Sequence, residues 1–65
     1  MDLVEVRIMR VMHDGNGFCE VEVVVEGSLR HIATSHALSD QDRVLVDPDT
    51  NRMYDHDGNE LTLIR

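Results

Sequence analysis

Leu3-Val4-Glu5-Val6-Arg7-Ile8-Met9-Arg10-Val11-Met12 and Phe18-Cys19-Glu20-Val21-Glu22-Val23-Val24-Val25-Glu26, joined by His13-Asp14-Gly15-Asn16-Gly17, decide the fold. Both runs alternate apolar and polar residues, the period of a half-buried strand. Asn16-Gly17 between them is a hairpin signal, because both central residues of a type I′ turn need positive φ, which Asn and Gly tolerate. With that turn, facing residue numbers sum to 33. The register then sets Arg7 opposite Glu26, Met9 opposite Val24, Val11 opposite Glu22 and His13 opposite Glu20. On the other face it sets Ile8 opposite Val25 and Met12 opposite Val21.

Cys19, Val21, Val23 and Val25 share one face of the second run, and their alternation and β-branching mark it as core. The first run is expected as one strand from Leu3 to Met12, its even positions apolar except for Arg10. That arginine is expected to snorkel at a rim, to pair with an acid from the last hairpin, or to serve a partner. Met9, Val11 and Val24 fall together on the opposite, acidic face, which is either covered by a later strand or used as an interface.

Outward from the hairpin, Gly27-Ser28 turns the chain into a short extended segment, Leu29 to Thr34, and the three segments read as a meander. Ser39 with Asp42 resembles a capping box, which suggests one helical turn near residues 39–43. Arg43 to Asp47 reads as a strand. Asp47-Pro48-Asp49-Thr50 fits a type I turn, with Pro48 pre-setting φ and Asp47 able to accept a hydrogen bond from further on. Arg52 to Asp55, the tight turn His56 to Asn59 and a last strand from Glu60 to Arg65 follow. The expected fold is all-β: one domain over residues 1–65, a small barrel or coiled sheet of five to six antiparallel strands.

Composition limits the function. The chain has 65 residues, a net charge of −7, six arginines, no lysine and one cysteine, Cys19. At this length burial and chain entropy nearly balance, and an intrachain disulfide is ruled out, so a metal or a partner gains weight as a source of stability. Phosphate neutralisation needs clustered cations, and single-strand binding needs several exposed rings. Phe18 and Tyr54 are the only aromatic residues besides histidine, so direct nucleic-acid binding is not expected. No apolar run approaches the roughly 18 residues of a membrane span, and no export signal is visible. With the lone cysteine, this makes a reducing, cytoplasmic setting the expectation.

Asp47, Asp49, Asn51, Asp55, Asp57, Asn59 and Glu60 crowd fourteen residues, and Asp47, Asp49 and Asn51 repeat the alternating oxygens that open a calcium loop. The sixth position is Arg52 instead of glycine and the twelfth is Gly58 instead of glutamate, so two consecutive turns are the expectation and no metal is assigned. The segment from Tyr54 to Thr62 is similar to one unit of the tyrosine–aspartate repeats of large secreted shells. His13, His31, His36 and His56 lack paired ligand spacings, although His31 and His36 are close enough in sequence to meet across a bend. Cys19 on a valine-rich face reads as a core residue. No phosphate loop, nucleophile elbow or acid–base pair appears, so the expectation is a protein that is not an enzyme and takes no cofactor.

Glu20, Glu22 and Glu26 form an acidic stripe, on which positions two apart lie about 7 Å from each other, near the spacing of phosphates along a nucleic-acid strand. The expected function is a small acidic protein-binding module, an inhibitor or decoy that occupies a basic nucleic-acid-binding surface through Glu20, Glu22, Glu26, Met9, Val11, Val24 and Arg10. Small acidic inhibitors of phages and mobile elements, anti-CRISPR proteins among them, are similar in size, charge and lack of catalytic motifs. The alternatives are a homo-oligomeric assembly subunit, such as a small virion component joined through edge strands or the Met9/Val11/Val24 patch, and a calcium-binding module.

Overall fold

Period-two alternation produces six strands: β1 (Val4–Arg7), β2 (Arg10–Gly15), β3 (Phe18–Val25), β4 (Ser28–Thr34), β5 (Arg43–Val46) and β6 (Met53–Tyr54). They are seen in a computed structural model that describes residues 2–63. Two three-stranded antiparallel sheets result, the first ordered β1-β5-β6 and the second β2-β3-β4. The fold is all-β, and a coiled sheet describes it.

The β2–β3 turn forms as the sequence predicts. Asn16 and Gly17 have φ of 55° and 82°, and Gly15 pairs with Phe18 and His13 with Glu20. Beyond His13 the expected register is overturned. A bulge at Met12 shifts the pairing by one, so that Val11 faces Val21 and Arg10 faces Glu22. The reason lies in the side chains. An unbroken register would set Arg10 opposite Val23, whose side chain is fully buried, and an unpaired guanidinium there would lose its hydration. The extra residue turns Arg10 out to a carboxylate and Val11 in toward the core. Met12 is left exposed.

The expected strand from Leu3 to Met12 is also two strands in different sheets. Ile8 N–H donates to the Asp42 carbonyl and the Ile8 carbonyl accepts Gln41 N–H, both at 2.8 Å, whereas Met9 N–H donates to the Glu22 carbonyl at 2.8 Å. The chain therefore changes sheets between Ile8 and Met9, the kind of corner that lets two small sheets share one core. Arg7 consequently faces Arg43, not Glu26, and the pairings of Met9 with Val24 and Ile8 with Val25 do not occur.

Inward residues of both sheets make that core: Val6, Ile8, Val44, Val46 and Met53 from one side, and Cys19, Val21, Val23, Val25 and Ile32 from the other, with Leu61. The helical turn near 39–43 does not form. Ser39 to Asp42 is a β-turn, with Asp42 N–H donating to the Ser39 carbonyl at 3.1 Å and Ser39 N–H to Asp42 Oδ2 at 2.8 Å. The side-chain half of the cap is present, but β5 starts at the next residue and leaves no length for a helix.

The last segment is a strap instead of a full strand. Tyr54 bridges Glu60 and Thr34 bridges Thr62. Leu61 N–H donates to the Met53 carbonyl at 2.7 Å and Leu63 N–H to the Ala33 carbonyl at 2.8 Å. Residues 60–63 thus tie β6 of the first sheet to β4 of the second, while Ile64 and Arg65 of the expected strand lie outside the described residues. Arg30 makes a further tie from β4, donating to the Pro48 carbonyl and to Asn51 Oδ1 in the β5–β6 loop.

Candidate protein-interaction face

The outer face of the second sheet carries most of the predicted binding residues. Even-numbered positions of β3 point away from the core, so Glu20, Glu22 and Val24 share this face. Glu22 is the middle of a row across three strands. Arg10 Nε of β2 lies 3.4 Å from Glu22 Oε1, and His31 Nε2 of β4 lies 3.1 Å from Glu22 Oε2. The Glu22 side chain is only 13% exposed, so this carboxylate is satisfied within the chain and does not present a free negative charge. The even stripe of three glutamates is therefore broken at its centre.

Beside that row, Val24 and Leu29 face each other across β3 and β4. They are 39% and 58% exposed, and Met9, at the corner between the sheets, is 51% exposed. Val11 does not share this exposure, because the bulge at Met12 turns it toward Val21 and the core.

The β3–β4 turn next to this pair is Glu26-Gly27, with φ of 52° and 79°. Both residues are left-handed, as a type I′ turn requires, and Val25 pairs directly with Ser28. Glycine fits such a turn at no steric cost, but a glutamate in it is strained. Strain of this kind is informative when it sits beside an exposed apolar pair. Leu29 was not singled out in the sequence, since only pairing across the strands brings it to Val24.

The other expected clusters resolve into turn chemistry. Asp49 N–H donates to Asp47 Oδ1 at 2.9 Å, and Asn51 N–H closes the loop on the Asp47 carbonyl at 2.9 Å. The loop is therefore one residue longer than the type I turn expected there. Asp55 Oδ1 accepts the N–H groups of Asp57 and Asn59, both at 2.9 Å. These bonds, that from Asn59 foremost, hold its carboxyl below the usual range. Among the described residues, no three His, Cys, Asp or Glu side chains are arranged to hold a metal.

His56 Nε2 lies 2.8 Å from Glu5 Oε2. That hydrogen bond is the main cause of a lowered Glu5 pKa, with smaller effects from the His56, Arg43 and Arg7 charges. His31 is engaged by Glu22, and His13 stacks on Phe18 with ring centroids 4.5 Å apart. A shallow cleft of about 190 Å³ opens at the hairpin tip, lined by Asp14, Phe18, Cys19 and His36 among others. Cys19 itself is 2% exposed and belongs to the core. No helix among the described residues is long and apolar enough to cross a membrane.

Comparison with known proteins finds no matching family model, no matching curated protein and no matching solved structure.

Proposed function

We propose that the chain is a non-catalytic protein-binding module that occupies a basic, nucleic-acid-binding surface of its partner through the outer face of the second sheet. The observation that carries this reading is the exposed Val24–Leu29 pair beside a glutamate held in a strained turn. Interfaces join a small apolar centre to a polar rim, and here Glu20 and Glu26 supply acidic rim groups. The net charge of −7 steers the chain toward a cationic target and away from nucleic acid itself. Small acidic inhibitors of phages and mobile elements share this size and charge.

Affinity capture from a lysate of the source organism, or of its host, tests the reading when run with the wild-type chain and a V24T/L29T variant and eluted with a salt series. The expected result is a nucleic-acid-handling protein retained by the wild type, released at moderate salt and depleted from the variant. Equal retention by both baits, or retention of the chain's own copies alone against high salt, contradicts it. The second outcome would favour an assembly subunit, the reading that the same exposed apolar pair supports in a homo-oligomer.

A further inference from the structure

The outer face of the first sheet differs in charge from the rest of the molecule. Three of the arginines have partners within the chain: Arg10 on Glu22, Arg30 on the β5–β6 loop and Arg52 on Glu60. Arg7 and Arg43, both exposed, have no carboxylate within ion-pair distance among the described residues, and they face each other directly across β1 and β5. The Ile8 N–H bond to the Asp42 carbonyl makes the next pair inward a non-hydrogen-bonded one. Cα atoms of such a pair lie about 4.5 Å apart and the side chains are close. Like charges in that position repel and oppose folding.

The next row on the same face is Glu5, Leu45 and Tyr54. Glu5 is already bonded to His56, and Leu45 and Tyr54 are half-buried. We propose that this face docks a peptide segment bearing carboxylates, with Arg7 and Arg43 as its joint anchor and Leu45 and Tyr54 as its apolar floor. A carboxylate between the guanidinium groups removes their repulsion and gains charge-assisted hydrogen bonds. The partner is a carboxylate peptide and not a nucleic acid, because a chain of net charge −7 repels a dense polyanion. This surface lies across the core from Val24 and Leu29, and its failure or success is independent of the function proposed for that face.

The test is an NMR titration of the labelled full-length chain with an acetylated, amidated tetrapeptide of two glutamates flanked by leucines. The expected result is saturable shifts at Arg7, Arg43, Leu45 and Tyr54, absent with the glutamine counterpart and weakened about tenfold in an R7Q/R43Q variant, as loss of two exposed charge contacts implies. The variant should also have a urea midpoint equal to or above that of the parent. No shifts, equal shifts with the glutamine peptide, an equal response to inorganic phosphate or to a short oligonucleotide, or a lowered midpoint in the variant would each overturn the proposal.

Discussion

Glu26 at φ 52° breaks the preference of its own turn, where asparagine fits better. If the strain is uncompensated, E26N raises stability by about 1 kcal/mol, read as a higher urea midpoint at unchanged slope. A lower midpoint would show that the glutamate makes a contact that offsets its backbone. Asp55 gives a prediction in pH. Its carboxyl is held below the usual range by the Asn59 and Asp57 N–H groups, so it stabilises the fold fully above the unfolded-state value. That contribution fades as pH falls through the lower folded value. D55N, which keeps an acceptor without titrating, should lose less stability than the wild type between pH 6 and pH 3. Identical acid sensitivity would remove Asp55 from the account. The Asp55 turn was legible in the sequence, because Asn, Asp and Gly act on their immediate neighbours, and the turn after β3 was legible to within one residue. The strain at Glu26 was not, since Gly27-Ser28 looked like the turn until pairing of Val25 with Ser28 placed it one residue earlier.

At the scale of elements, one side chain adds to the backbone bonds that hold the strap at residues 60–63. The Thr62 hydroxyl accepts the N–H of Met53, a buried residue, at 2.5 Å. T62V leaves that donor unsatisfied and should cost about 1–3 kcal/mol, whereas T62S should retain most of the stability. Chemical denaturation of the two variants decides it, and equal midpoints would show that the strap holds without the hydroxyl. The sequence revealed where strands lie and that β2, β3 and β4 pair as a meander, but not that the start of the first run pairs with β5. Leu3 to Met12 alternates well enough for one long strand, so the sheet change at Ile8 and Met9 leaves no local mark. The bulge has a trace in hindsight. Arg10 on the predicted core face was the conflict, and shifting one residue resolves it by facing Arg10 with Glu22 and Val11 with Val21. The apolar trio of Met9, Val11 and Val24 failed for the same reason, while Val24 found Leu29.

For the whole molecule, the core is small and shared between both sheets, so no sheet is expected to survive alone. Met53 is fully buried in it, and M53A should cost about 2–5 kcal/mol. Total stability for a chain of this length is about 3–10 kcal/mol, so that variant should lose a large share of it, read as a lowered urea midpoint by circular dichroism. A native-like spectrum with an unchanged midpoint would contradict the shared core. The two outer faces divide the surface chemically: an exposed apolar pair with acids on one, two facing arginines beside a tyrosine on the other. This division follows from pairing and was invisible in the composition, which reads simply as acidic. The central claim is that the Val24–Leu29 face is kept for a different protein and not for a second copy of the chain. Sedimentation velocity at physiological salt, from micromolar to millimolar concentration, tests it most directly. A single species of 7.4 kDa at every concentration is the predicted result, and a concentration-dependent dimer that V24T/L29T abolishes would contradict it.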